Sequence, residues 1–276
     1  MSPGNTQMII MSYLLSYIAL GAFAGVLAGL LGVGGGLVIV PVLIFLFTAQ
    51  HMPDNHIIHL ALGTSLASII FTSIASFRAH HFRGAVNWEV FRRITPGIIT
   101  GTLLGSWVAA QLSTNFLKGF FVFFLYYVAL QIFLNIRPAP SRQLPGSIGM
   151  HGVGSLIGGI SSLVGIGGGV MSVPFLIWCN LDMRSAIGTS AAIGFPIALA
   201  GAVGYAANGL AIETLPSWSL GFVYLPALIG ISLASASTAP MGVRLAHTLP
   251  LRHLRNIFAL LIIIMATKML MGLIQT

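Results

Sequence analysis

The sequence predicts an all-α integral membrane protein made of two related halves, and three observations carry that expectation. The 276 residues are 57% hydrophobic and 6% charged, with a mean hydropathy of +0.98, so polar side chains are too few to cover a water-exposed surface. Apolar residues gather into runs near the ~20 residues that a spanning helix needs. One unusual stretch also occurs twice. Leu30-Leu31-Gly32-Val33-Gly34-Gly35-Gly36, followed by Pro41, returns 133 residues later as Leu163-Val164-Gly165-Ile166-Gly167-Gly168-Gly169, followed by Pro174. Consecutive glycines are entropically costly to order and break a helix, so a break kept in both halves reads as a break that is used.

Ten helical segments are expected, over 9–31, 37–49, 57–77, 94–111, 116–136, 148–164, 170–179, 185–206, 219–243 and 254–275. Eight are long, whereas 37–49 and 170–179 are too short to cross a bilayer unaided. Each short piece directly follows a glycine cluster. It is expected to form a hairpin or broken pair with the helix before it, its turn held inside the protein, because irregular backbone at membrane depth is tolerated only away from lipid. Residues 1–7 hold no Lys or Arg and no small-residue cleavage pattern follows the first run, so that run reads as a retained helix.

The halves match in order as well as composition. Gly21 and Gly25 correspond to Gly154 and Gly158 at the same offset, and Ala61-Leu62-Gly63-Thr64-Ser65 corresponds to Ala186-Ile187-Gly188-Thr189-Ser190 at an offset of 125. Residues 1–136 form the first membrane repeat and 148–276 the second. Between them, 137–147 is a polar, proline-rich linker beginning Arg137-Pro138-Ala139-Pro140.

The net charge of +8 arises from 12 Lys plus Arg against 4 Asp plus Glu, and in so apolar a chain it reports membrane orientation rather than nucleic-acid binding. Arg78, Arg83, Arg92 and Arg93 share one loop, Arg137 and Arg142 the next, Arg184 another, and Arg244, Arg252 and Arg255 a fourth. Strict alternation puts these loops on one side and only Lys118 and Lys268 toward the other. The Arg-rich side is then cytoplasmic, the linker with it, and both chain ends face outward. Five segments per half is odd, so the second half enters the membrane from the opposite side. That is an inverted repeat, the symmetry of secondary transporters that work by alternating access.

A short helix that starts at a glycine cluster presents freed amides and the positive end of its dipole, an anion site that needs no buried Arg. Gly21/Gly25 and Gly101/Gly105, by contrast, suit close helix crossing. Thr64, Ser65, Thr189 and Ser190 offer hydroxyls that either donate to an anion or bond back to their own helix. Asp54, Glu89, Asp182 and Glu213 all map to loops or segment ends. This argues against a buried carboxylate relay or a divalent-cation site and favours an anionic or neutral substrate. Arg78 and Arg83 either gather anions at the cytoplasmic mouth or anchor topology.

The eight histidines, among them His51, His56, His59, His80, His81, His151, His247 and His253, lie at or near segment ends and read mostly as interfacial. His80 or His81 is the candidate for carrying a proton with the substrate. Trp88 and Trp218 suit an aromatic belt, Phe120-Phe121-Val122-Phe123-Phe124 a lipid or packing face, Asn208-Gly209 a turn, and the single Cys179 a packing role. Neither Gly-x-Ser-x-Gly nor a zinc-protease spacing appears, so no enzyme, metal or cofactor is expected.

The duplicated Gly-x-Gly-Gly-Gly-x-x-x-Val-Pro stretches, each followed by Gly-Thr-Ser, resemble the TauE/SafE sulfite exporter family of bacterial membrane permeases across essentially the whole chain. The resemblance implies a multi-pass transporter of the bacterial plasma membrane that moves small sulfur-containing anions such as sulfite, sulfoacetate or other sulfonates, commonly outward. Carried over by motif, the substrate-binding positions are Gly34, Gly35, Gly36, Thr64, Ser65, Gly167, Gly168, Gly169, Thr189 and Ser190. An anion channel, or an importer of another small oxyanion, is the alternative. The partners expected are a small anionic substrate and the lipid bilayer, with a homodimer open and nucleic acid not expected.

Overall fold

The computed structural model describes residues 3–31, 35–134, 141–248 and 251–274. Within them the chain forms ten α-helices: α1 (Pro3–Leu31), α2 (Gly36–Ala49), α3 (Ile57–His81), α4 (Trp88–Gln111), α5 (Thr114–Phe133), α6 (Ser147–Val164), α7 (Gly169–Trp178), α8 (Met183–Gly209), α9 (Leu225–Thr248) and α10 (Leu251–Ile274). A two-stranded hairpin, β1 (Ser219–Leu220) and β2 (Val223–Tyr224), precedes α9. Seven of these helices are long and apolar enough to cross a membrane; α4, though 24 residues long, carries Glu89, Arg92 and Arg93 and is not among them, and α2 and α7, at 14 and 10 residues, are too short.

Two of the boundaries that differ from the hydropathy reading have a visible cause. α4 begins at Trp88 rather than 94 because Asn87 caps it, its Oδ1 accepting the Val90 N–H at 3.1 Å, and because Glu89 pairs with Arg93 across one turn at 2.6 Å. A polar first turn is invisible to a hydropathy window. The segment expected from 219 begins instead as the hairpin, and α9 starts only at Leu225. Gly221 makes the turn at φ 54°, and a Cβ there would run into the Ala206 carbonyl. Pro226 then suits the first turn of α9, where a missing N–H costs nothing.

The helices exchange partners in a consistent way. α1 lies along α9 as α6 lies along α4, α3 meets α9 as α8 meets α4, and α3–α8 and α5–α10 pair across the halves. Close approach at the first two of these rests on glycine. Cβ atoms on Gly21 and Gly25 would strike the backbone of Ile231 and Ser235, and on Gly101 the backbone of Ser155. These small faces serve helix crossing, as expected. The apolar windows of α3 and α8 are each 83% buried, against 28% for α10, so α3 and α8 form the central pair.

α2 and α7 double back. Gly35 sits against Ala24, while at the far end of α2 Tyr13 Oη donates to Ala49 O at 3.2 Å and Gln50 Nε2 to Tyr17 Oη at 2.6 Å. α2 therefore runs antiparallel to α1. In the second half, Gly168 faces Ile157 and Ser161, and the N–H groups of Ser141 and Arg142, ahead of α6, donate to Trp178 O at the end of α7. Both glycine clusters thus turn a long helix into a hairpin with a short one.

Candidate functional site at the twin helix breaks

The left-handed backbone that each break needs is present. Gly35 caps α2 at φ 79°, Gly168 caps α7 at φ 74°, and Gly165 ends α6 at φ 68°. An L side chain in that conformation costs about 1–2 kcal/mol, which is why glycine holds these positions. Gly34 lies outside the described residues. In α2 the first ladder bonds are donated by Val38 and Ile39 to Gly35 O at 3.1 and 3.2 Å, and in α7 by Met171 and Ser172 to Gly168 O at 3.0 and 2.9 Å. The amides of Gly36, Leu37, Gly169 and Val170 therefore precede the helical ladders and sit at the positive ends of the helix dipoles.

The two breaks touch. A Cβ on Gly36 would stand 2.9 Å from Ile166 Cα and closer still to the Gly165 carbonyl, so backbone from residue 36 packs on backbone from residues 165 and 166. α3 and α8 pass directly beside this contact. Ser65 Oγ donates to Gly165 O at 2.8 Å, and Ser190 Oγ shares a 2.8 Å hydrogen bond with Ser172 Oγ. Gly167 is nearby, its carbonyl 3.4 Å from the place a Cβ on Gly194 would take.

Thr64 and Thr189 have matching structural duties. The Tyr224 N–H donates to Thr64 Oγ1 and the Asn87 N–H to Thr189 Oγ1, both at 2.9 Å. Each threonine ties the residue that immediately precedes α9 or α4 to the central helix pair. Both are fully buried, and an accepting hydroxyl keeps one O–H to donate. The four hydroxyls expected near the breaks are thus all central, but the serines border the breaks and the threonines hold neighbouring helix starts.

Repeat logic passed over two hydroxyls. Ser172, on α7, partners Ser190, and Ser161, on α6, stands beside Gly168 with its buried Oγ lacking a hydrogen-bond partner among the described residues. The equivalents of Ser161 and Ser172 in the first half are Ala28 and Ile39, so a search for matched pairs discards both.

Arg78 and Arg83 do not reach the breaks. Both are exposed near the end of α3, Arg83 Nη1 donating to Ala79 O at 2.8 Å. Arg78 borders a groove of about 520 Å³ between α3 and α9, with Phe71, Phe82 and Pro240 among its walls. The interfacial reading fails for two histidines. His59 is buried, its Nε2–H donating to Ala109 O at 3.1 Å and its ring stacked on Phe222 at 5.0 Å between centroids, and His80 is buried as well. His81 lies outside, accepting from Trp88 Nε1 at 3.2 Å.

The acidic residues keep to the ends. Asp54 opens a 3₁₀ turn, Glu89 lies in the first turn of α4 and Asp182 caps α8, while Glu213 is in the connection after α8. Hydrogen bonds from Ser185 hold the Asp182 carboxyl below its ordinary pKa. Among the described residues no group of three or more His, Cys, Asp or Glu side chains is placed to hold a metal ion.

Residues 17–269 match the family described as sulfite exporter TauE/SafE. The chain belongs to that family. It is 35% identical over 260 residues to a protein of Haemophilus influenzae named "Probable membrane transporter protein", covering 94% of this chain and 98% of that one. Proteins of the same description from Methanocaldococcus jannaschii and Bacillus subtilis are 26% and 28% identical, over 92% and 70% of this chain and 94% and 78% of their own lengths. No solved structure matches the chain. With seven helices among the described residues long and apolar enough to cross a membrane, this family member is a multi-pass membrane transporter and not an enzyme.

Proposed function

We propose that this transporter exports small sulfur-containing anions, such as sulfite, sulfoacetate or other organosulfonates, across a bacterial plasma membrane by alternating access. The single observation that carries the reading is the contact of Gly36 with Gly165 and Ile166, which brings the start of α2 and the break between α6 and α7, from different halves, to one point. Amides there present N–H groups and dipole ends to a common guest, the arrangement that suits an oxyanion. The ligand set is Gly34, Gly35, Gly36, Thr64 and Ser65 with Gly167, Gly168, Gly169, Thr189 and Ser190. Ser161 and Ser172 join it by position.

The exchange of packing partners between the halves supports an inverted repeat that rocks about this point. In that arrangement the Arg-rich loops are cytoplasmic and both termini external. Arg78 and Arg83 raise the anion concentration at the entrance rather than bind at the centre. Export fits the membrane potential, since each expelled negative charge gains about 2.3 kcal/mol at ~100 mV, negative inside.

Purified protein in liposomes loaded with labelled sulfite, sulfoacetate, thiosulfate or sulfate tests the reading. Saturable efflux of a sulfur oxyanion, faster with the interior negative, is expected. Absence of flux for all four overturns it, and ohmic currents far above carrier turnover replace the carrier with a channel.

A further inference from the structure

We propose that the seam between α3 and α9 is the half of the substrate route that runs from the twin breaks to the membrane face carrying Arg78 and Arg83. The proposal rests on the transport reading and adds which helix faces the anion passes.

From Ser65 at the break contact, α3 continues with Ser68, Thr72, Ser76 and His80, at the three- and four-residue spacing that keeps side chains on one helix face. All of them are at most 2% exposed. A polar stripe of this length inside a membrane protein is costly unless its groups find partners. Thr72 finds one across the seam, in a 2.6 Å hydrogen bond with Ser235 of α9. Ser68 bonds to its own helix.

Two hydroxyls on the seam do neither. Ser76 Oγ and Ser232 Oγ, the latter one turn before Ser235 on α9, are buried and have no hydrogen-bond partner among the described residues. Packing alone is served better by alanine at such places, since an unpartnered buried hydroxyl forfeits its water bonds for nothing. A hydrated guest that opens the seam supplies those bonds.

The equivalent seam in the other half is built differently. At the same offset from Ser190, α8 presents Ile193, Ile197, Gly201 and Tyr205. Ile193, Ile197 and Tyr205 are fully buried, and Tyr205 Oη donates to Ser162 O at 2.9 Å. Ile94 and Ile98 of α4 are likewise buried, Ile94 against Gly154 of α6, while the Ser106 hydroxyl, bonded to its own helix, meets Gly204 of α8. Opening α8 around Ile193 and Ile197 exposes apolar surface to water, whereas separating α3 from α9 exposes hydroxyls that water or an oxyanion satisfies. Of the two seams, the one that leads to Arg78 and Arg83 is the one lined for a polar guest.

Single cysteines in a Cys179→Ala background test this with sulfonatoethyl methanethiosulfonate, a small anionic thiol reagent, applied to oriented membrane vesicles. Phe82→Cys, at an exposed position on that face, reports which side the reagent reaches. Ser76→Cys and Ser232→Cys should react within about tenfold of Phe82→Cys, and Ile193→Cys and Ile197→Cys at least about a hundredfold more slowly, because labelling of buried sites tracks local opening. Sulfoacetate should slow the first pair. Equal labelling of the two seams overturns the proposal. Should the cysteine variants fail to fold, Ser76→Leu against Ser76→Ala decides it: leucine should cut flux about tenfold or more at normal folded yield, with alanine near the parent. Seam labelling in a protein that moves no anion overturns the transport reading alone, and full flux without the labelling contrast overturns the seam alone.

Discussion

α3 and α8 occupy equivalent places in the two halves, share the Gly-Thr-Ser sequence and are equally buried, yet beyond that sequence they differ in chemistry. The shared parts are those the backbone needs: Thr64 and Thr189 each hold the start of a neighbouring helix through one N–H at 2.9 Å. The divergent parts line the outer portions of the two seams, with hydroxyls on α3 and isoleucines and a tyrosine on α8. The shared residues serve the scaffold, and the differing ones line it. On the proposed alternating-access reading both breaks must survive, whereas the two half-routes open onto different surroundings and need not match.

The largest effect should come from filling the breaks. Gly36→Leu meets the backbone of Gly165 and Ile166, which no rotamer change relieves, and Gly168→Leu combines a left-handed backbone with a clash against Ile197. Flux should fall about a hundredfold in each, the scale that ångström misplacement costs a positioned site, while folded protein is still recovered by gel filtration. Gly119→Ala, which has open space, should leave flux unchanged. If only one of Gly36→Leu and Gly168→Leu is impaired, the halves do not share one site.

Next in size are the threonines. Thr64→Val and Thr189→Val each strand one backbone N–H, which should cost about 1–3 kcal/mol and lower the thermal midpoint in detergent by similar amounts. A clear inequality would show that the scaffold is less symmetric than its hydrogen bonds. Tyr205→Phe removes the bond from α8 to Ser162 O of α6 and should cost about 1 kcal/mol. It should also raise the labelling of Ile197→Cys if that bond keeps the seam shut.

The smallest effect concerns Asp182, the cap of α8. Asp182→Ala should cost about 1 kcal/mol. Because the folded pKa lies below the ordinary value of 3.8, the carboxylate's contribution is complete above that value and is lost as pH falls through the folded one. An acid-induced drop in the midpoint that is absent from the alanine variant checks the sign.

Much of the fold was legible in the residues. Long apolar runs marked the helices, and the glycine clusters marked where α2 and α7 begin, because hydropathy and backbone permissiveness are local properties. The polar first turn of α4 and the hairpin before α9 escaped, since capping by Asn87 and the fit of Gly221 under Ala206 are not properties of average hydropathy. For the candidate site, repetition pointed to the glycines and the Thr-Ser pairs. It missed Ser161, Ser172 and Ser76, which have no hydroxyl at the matching place in the other half, and Ser232, which lies outside the glycine and Thr-Ser motifs, and it placed His59 and His80 at an interface where packing buries them.

Composition and residue order alone determined that this chain is a helical membrane protein with two interrupted helices, because solvation of side chains and the freedom of glycine act over a few neighbouring residues. Only the tertiary structure decided that Gly36 meets Gly165, that Thr64 and Thr189 face amides while Ser65 faces a carbonyl, and that the hydroxyls of α3 meet one of their own kind on α9. Those outcomes depend on which helix surfaces pack together across a hundred or more residues of chain, and surface complementarity at that separation is written in no local pattern.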